Sequence, residues 1–498
     1  MSLIDYNLQD RMLNRTLDGA AMTTLQIIET DLREWLGASE KRQMMVTGLE
    51  YYNNIQDIRN KKRLAPGEDG KQVEVKNIPN NRILDNVYAE LVDLKVNYTF
   101  GKSFITDYAS QNEADKTTED NLQRYMTANM HLLLKDTGVD FLNGGVSYWL
   151  PYYRDDFTLD FRQFKSYEVI PYYADERRTV LEMAVRHFQQ ISYEGINPRV
   201  VDKVEVYFPD RIEYYDYTNG ALVPDVSRGV SGQYMAINGA GYNWGHVPII
   251  PFKYNQTEKP LISKIKSLQD AINRLQSDFM DNMQEDGRNT VLVLKNYGGT
   301  DLGEFRRNLA VYGAIKVNSS EGVSGGVDTL RVEVNAGNYE TILRILKRTL
   351  TKNGRGFDAL DDQTGSRTPN QMNIQSMYSY IDLDADGIEL EFQSSFAKAL
   401  EYIAVDMRLK GLGELDPERV KVTLNRNMMF NEAELIDSLV KSEGLLSKRT
   451  LLANHPMVND VQEELDTIEQ ERQEEIAKGE YGAFAGKVDT GKDDGETE

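Results

Sequence analysis

Asp382, Asp384 and Asp386 alternate in the stretch "IDLDADGIELEF" (381–392), and Gly387 follows them. That spacing opens a calcium loop of the EF-hand type, which needs carboxylates at positions one, three and five, a glycine at six and a bidentate glutamate at twelve. Position twelve is Gln393, a neutral amide that cannot clamp the ion with two oxygens. The flanks carry a different pattern. Ile381, Ala385, Ile388, Phe392, Phe396, Leu400 and Ile403 recur at steps of three or four, and Ile374, Met377 and Tyr378 extend the stripe upstream. The pattern predicts one amphipathic helix of roughly forty residues, with the aspartates off its apolar face and Gly387 as a candidate kink. A magnesium-dependent nuclease is the alternative use of the three aspartates. In a helix, however, residues i and i+4 share a face while i+2 points elsewhere, which scatters the trio.

Other catalytic patterns fail on similar grounds. His131, His187, His246 and His455 are spread without metal-ligand spacing. "TFGKSF" (99–104) ends like a phosphate-binding loop, but Val96 stands where the first glycine is required. No Gly-x-Ser-x-Gly elbow is present, and there is no cysteine to act as nucleophile. The expectation is a protein with no catalytic residues, no metal and no cofactor.

Composition narrows the class. The chain has 498 residues, 40% of them hydrophobic, which is enough for several domains and a sizeable core. The absence of cysteine rules out a disulfide scaffold and suits a reducing interior. No signal peptide opens the chain and no apolar run approaches the roughly 20 residues that span a bilayer, so a soluble, cytoplasmically made protein is expected. Net charge is -22, from 79 acidic and 57 basic residues. Tight wrapping of DNA depends on basic patches and is disfavoured, whereas a wall past which DNA slides would tolerate this charge.

The elements that would hold such a wall follow from periodicity. Residues 22–63, 80–100 and 118–136 read as helical, the second through Ile83, Val87, Leu91 and Leu94. From 143 to 252 short runs rich in Val, Tyr and Phe predict a mostly antiparallel sheet, with a hairpin turn at Asn219-Gly220. Two helices follow, 261–286 and 338–353, around strand-like pieces at 289–335 and a short helix in "DLGEFRRNL". Asn353 and Gly354 stop the second helix, and "FDALDDQTGSRTP" reads as a polar loop before the long helix. "RVKVTLNRN" predicts a strand. Helices are expected near 431–441, where Asn431 and Glu434 resemble a capping box, and at 447–454 and 459–477. The last twenty residues are acidic and expected to be disordered.

"YYNNIQDI", "NNRILDN" with "LVDLKVNYTFGKSF", "GHVPIIPF", "LVLKNYGGTDLGEF" and "LLSKRTLLANHPMVNDVQEELDTIEQE" occur in that order over about residues 25–475. In this order and spacing the chain resembles the portal proteins of tailed double-stranded-DNA bacteriophages, the type found in long-tailed phages of Gram-positive hosts. The unusually acidic tail and "DLDADG" depart from that pattern. The resemblance implies an α+β portal fold. Its parts would be a flexible N-terminus (1–24), a wing of helices and mostly antiparallel sheet (25–257), a stem of two helices (258–288 and 336–353) and a small α/β clip between them (289–335). A tunnel loop (354–369), a long wing-spanning helix with a return strand (370–428), a helical crown (429–475) and the acidic tail (476–498) would complete it.

By the same resemblance the protein is a ring of twelve subunits in the capsid, with thirteen possible when isolated. The ring conducts double-stranded DNA without reading sequence, during packaging and ejection, at the portal vertex of a virion assembled in the host cytoplasm. Implied partners are the terminase large subunit, scaffolding protein, major capsid protein and head-completion adaptor, with no membrane. Lys352, Arg355, Asp358, Asp361, Asp362 and Arg367 would belong to the DNA-facing tunnel loop, and Lys352, Arg355 and Arg367 are candidates for transient phosphate contacts. Asp278, Asp281, Glu285 and Asp286 would form an acidic channel lining whose repulsion acts over a screening length of about 8 Å. Asp301, Glu304, Arg306 and Arg307 would lie on the clip, where the motor docks.

Overall fold

The computed structural model describes residues 16–17, 20–66, 71–75, 78–109, 113–237, 240–285, 291–295, 326–330, 336–357, 371–426, 436, 439–453, 455, 457–458 and 461–477. The chain divides into two compact units, residues 1–362 with 377–427 and residues 363–376 with 428–498.

The first unit opens with helices α1 (Thr24–Gly37) and α2 (Glu40–Tyr52), so the helical run expected over 22–63 is interrupted. The break lies at Ser39, whose hydroxyl accepts from the Arg42 N–H and starts α2 afresh. Helix α3 (Val87–Phe100) begins at an Asn86 cap, several residues later than the Ile83 periodicity suggests. The helix expected at 118–136 is two, α4 (Glu113–Gln123) and α5 (Ala128–Gly144), because the Thr127 hydroxyl caps the second at Met130. Gly145 ends α5 at φ +82°, and a Cβ there would lie 2.1 Å from the Glu258 carbonyl oxygen. Only glycine fits both demands.

Five strands then pair in sequence order as an antiparallel meander: Val169–Tyr173, Leu181–Glu194, Asn197–Tyr207, Ile212–Thr218 and Ala221–Pro224. The short strand Ser231–Gly232 adds beside Ile212–Thr218 as a sixth. Asn219 and Gly220 both take positive φ at the last hairpin, as the sequence predicts. A separate three-stranded sheet sets Val146–Tyr153 between Ile250–Lys253 and Leu159–Phe164.

Helix α6 (Ile262–Glu285) and helix α7 (Ala336–Asn353) bracket an antiparallel strand pair, Val291–Lys295 with Gly326–Leu330. The expected strand "AIKVN" and the short helix in "DLGEFRRNL" lie outside the described residues. Helix α8 (Gln371–Leu409) runs without interruption through Gly387, so the aspartate stretch forms no calcium loop and no break. From Ile381 onward the predicted stripe is buried, at Ile381, Ala385, Ile388, Phe392, Phe396, Leu400 and Ile403; the side chains of Ile374, Met377 and Tyr378 lie outside the described residues. The ring of Phe392 meets those of Phe100, Phe252 and Phe396, which joins α8 to α3 and to the three-stranded sheet. Burying each such ring contributes about 2 kcal/mol. After α8 the strand Val420–Thr423 pairs with Ile105–Tyr108.

Two apolar cores result, one among α3, α5, α6 and α8 and one between α1 and the meander. In the second unit the described helices are α9 (Lys448–Ala453) and α10 (Val461–Ala477); the expected cap at Asn431 and Glu434 lies outside the described residues. Mixed helix and antiparallel sheet is the α+β class expected. Among the described residues no helix is long and apolar enough to cross a membrane.

Candidate functional site

Helices α6 and α7 lie against each other, and α6 carries two rows. The apolar row, Ile265, Ile272 and their neighbours, enters the first core. The second row, Gln269, Asn273, Ser277 and Asp281, recurs every four residues and is also fully buried, at 0% exposure. Its partners are backbone N–H groups of the non-helical segment before α3 and of Tyr88 in the first turn of α3. Tyr88 donates to Gln269 at 3.0 Å, Asp85 to Asn273 at 2.9 Å, Ile83 to Ser277 at 2.9 Å and Asn81 to Asp281 at 2.6 Å. The two periods match. Four helical residues rise about 6 Å, close to the roughly 6.6 Å covered by two extended residues. Asn273, Ser277 and Asp281 therefore offer one acceptor per turn to the alternate amides of 85, 83 and 81, as a neighbouring strand would, while Gln269 takes the Tyr88 N–H in the first turn of α3. The amides would otherwise be buried without partners.

Asp281 ends this ladder. Its other oxygen takes the Lys61 ammonium at 2.7 Å and the Arg63 guanidinium at 3.0 Å. Burial alone would raise the carboxyl, but the Asn81 N–H and these cations hold it below its ordinary value. The expectation that Asp281 lines a channel is corrected: the carboxylate is enclosed and fastens residues 61–81 to α6. Asp278, one turn earlier, is 42% exposed and pairs with Lys61 at 2.7 Å. The Glu285 side chain and Asp286 lie outside the described residues.

Toward the end of α6 the apolar row loses its cover. Phe279 stacks obliquely on Tyr339 of α7 at 4.6 Å, while Met280 and Met283 are exposed, as are Ile342 and Ile345 on α7. Sequence reasoning missed the charge pattern of α7. Arg344, Arg348 and Lys352 recur every four residues, all exposed, and Glu340 is the one acid in the helix. The spacing is legible in the sequence.

Two glycines flank Arg355 where α7 ends. The Gly354 N–H reaches the Leu350 carbonyl at 2.8 Å and the Gly356 N–H reaches Thr351 at 2.8 Å. Asp384 of α8 faces this turn. It pairs with the buried Lys95 at 2.6 Å, accepts from the Tyr254 hydroxyl at 3.2 Å and meets Arg355 at 3.3 Å. Burial pushes the Lys95 ammonium down from its ordinary value, against the pull of Asp384. On another side of α8, Asp382 and Asp386 both hold Arg426, which also pairs with Glu389 at 2.7 Å. The helix sets Asp384 apart from the Asp382–Asp386 pair, as i and i+2 spacing requires, and each already has a protein cation. The three carboxylates therefore do not converge on one site. Asp358, Asp361, Asp362 and Arg367, and the residues expected on a clip, Asp301, Glu304, Arg306 and Arg307, lie outside the described residues.

Comparison with known proteins places this architecture. The chain is 29% identical over 432 residues to the portal protein of Bacillus phage SPP1, covering 86% of this chain and 83% of that one. It is 28% identical over 435 residues to the portal protein of Clostridium phage phiCD119, covering 85% and 91%. The sequence profile of the family described as "Phage portal protein, SPP1 Gp6-like" matches residues 37–478, nearly the whole span described above, and the chain belongs to that family of phage portal proteins.

Proposed function

We propose that the protein assembles as a ring of twelve copies in the capsid, at one vertex, and conducts double-stranded DNA inward during packaging and outward during ejection. The family match over residues 37–478 carries this reading. The α6–α7 pair supports it. Two adjacent helices with a strand pair inserted between them in sequence make a rod, and Met280, Met283, Ile342 and Ile345 are apolar side chains that a lone chain leaves in water. Neighbouring copies would cover them. In this reading α6 and α7 are the stem, residues 289–335 the clip that receives the terminase motor and later the head-completion adaptor, and 354–369 the tunnel loop. Residues 25–257 and 370–428 make the wing and 429–475 the crown. Scaffolding and major capsid proteins would meet the ring during capsid assembly, which it nucleates in the host cytoplasm. The role is structural, with no reaction catalysed.

The acidic lining is narrower than the sequence suggests, because Asp281 is withdrawn from it. Asp278 remains half-exposed, and the α7 row Arg344, Arg348 and Lys352 sets cations on the same rod. We assign DNA a weak, sliding contact balanced between the two signs of charge. Mass measurement of the purified protein with negative-stain imaging tests the reading. A closed ring with an axial hole wide enough for a duplex is expected. Lone compact particles at every concentration and salt would overturn it.

A further inference from the structure

The turn after α7 places an arginine where a glycine would be easier. Arg355 has φ +55°, the left-handed region that costs a side-chain-bearing residue roughly 1 kcal/mol or more. Its neighbours are both glycine for a visible reason. A Cβ on Gly354 would lie 2.2 Å from the Leu91 side chain, and one on Gly356 would lie 2.3 Å from it. The turn is thus pressed backbone-first onto α3. One helical turn beyond Leu91, on the same face of α3, Lys95 donates to the Arg355 carbonyl at 3.1 Å. The turn is held from Leu91 by contact and from Lys95 by a hydrogen bond. The Arg355 side chain reaches Asp384 at 3.3 Å and is 56% exposed.

Charge completes the arrangement. Lys95 and Asp384, at 1% and 6% exposure, are a buried pair, and Arg355 touches the same carboxylate from outside. The three groups sum to one positive charge, and only Arg355 presents it to solvent. We infer that Lys95 and Asp384 are positioning residues that hold Arg355 as a tethered, low-affinity contact for a nucleic-acid phosphate. This rests on the DNA-conduit reading and deepens it. Lys95 neutralises Asp384 from below, so the carboxylate restrains the guanidinium without capturing it. Asp384 in turn competes with any phosphate for Arg355. A cation released from that competition would grip passing DNA harder, which suits a conduit poorly.

The test uses purified full-length rings and a short fluorescent DNA duplex, titrated at several salt concentrations. Asp384→Asn should tighten duplex binding on the order of threefold, since Arg355 loses its competing carboxylate, and should steepen the salt dependence. Arg355→Gln should weaken binding by a similar factor, and the double variant should resemble Arg355→Gln alone. Asp384→Asn leaves Lys95 buried without its carboxylate and can cost the fold. The paired replacement Lys95→Gln with Asp384→Asn removes both charges together, keeps an amide that can donate to the Arg355 carbonyl, and should show the same tightening. Unchanged affinity in both Asp384 variants, or tightening that persists without Arg355, overturns the inference. So does a wild-type ring that binds no duplex even at low salt. Failure of the conduit reading itself is seen separately, as absence of rings by mass.

Discussion

Helices α6 and α8 each carry a polar row at steps of four beside an apolar stripe, and the two rows do opposite work. On α6 the row Gln269, Asn273, Ser277 and Asp281 is buried; its last three members serve as a surrogate strand for residues 81–85, and Gln269 takes an N–H at the start of α3. On α8 the pair Asp382 and Asp386 sits at or near the surface and holds one arginine, Arg426. The composition of the rows differs in the direction this requires. Three of the four α6 groups are uncharged, and amides and hydroxyls can be buried at little cost when every donor and acceptor is matched. The α8 pair is fully charged, as a wetted face prefers. Polar periodicity alone does not identify solvent; the absence of charge within it is the better sign of a partner.

The largest effect is expected at Asp281. Replacement by alanine strips Lys61 and Arg63 of their buried counter-charge and leaves the Asn81 N–H unpaired, which should cost about 3 kcal/mol. Urea unfolding at fixed protein concentration would report it, and a loss below about 1 kcal/mol would mean the ladder does not fasten residues 61–81. The same group predicts a pH dependence. Its folded carboxyl is held below the ordinary value of 3.8, so its contribution is complete above that pH and is lost as pH falls through the lower, folded value. Asp281→Asn should flatten that acid limb of stability.

A smaller effect is expected in the middle of the ladder. Asn273→Leu keeps the volume but orphans the Asp85 N–H and the Gln56 side-chain oxygen, which the Asn273 amide reaches at 2.5 Å. A loss of about 2 kcal/mol is expected, with faster amide hydrogen exchange confined to residues near 83–88. On α8 the corresponding change should be slight. Asp386→Asn removes one of three carboxylates around Arg426 at a site 60% exposed, so less than about 1 kcal/mol should be lost. Equal losses at Asn273 and Asp386 would erase the distinction between the two rows.

The contrast also explains what could be read beforehand. Apolar stripes were legible because burial against a core needs only a periodic surface, and α8 followed its stripe from Ile381 to Ile403. The hairpin at Asn219-Gly220 was legible because its chemistry is local. Residues 80–86 read as helix because Ile83, Val87 and Leu91 keep helical spacing, yet the Asn81, Ile83 and Asp85 amides find acceptors some 190 positions away. Nothing within that segment records where those acceptors are. The role expected of Asp281 failed for the same reason. Its charge was visible in the sequence, but Lys61 and Arg63, which remove it from solvent, belong to another part of the chain. Asp384 is similar: its partner Lys95 lies on α3, 289 positions away.

Gly387 gives the finest test of how the exposed side of α8 differs from the buried row of α6. A Cβ built there meets nothing within 4 Å, so no contact within the chain requires a glycine. Leu383 and Leu390, one turn to either side, are exposed at 64% and 71%. In an isolated helix interior alanine is preferred to glycine by about 1 kcal/mol. Gly387→Ala should therefore raise the thermal midpoint of dissociated subunits by a few degrees at most. If the same variant also lowers the midpoint or the yield of assembled rings, a neighbouring copy approaches α8 closely between the two leucines, and the glycine is there for that approach. A gain in both forms would leave this side of α8 to solvent, in contrast with the row on α6 that solvent never reaches.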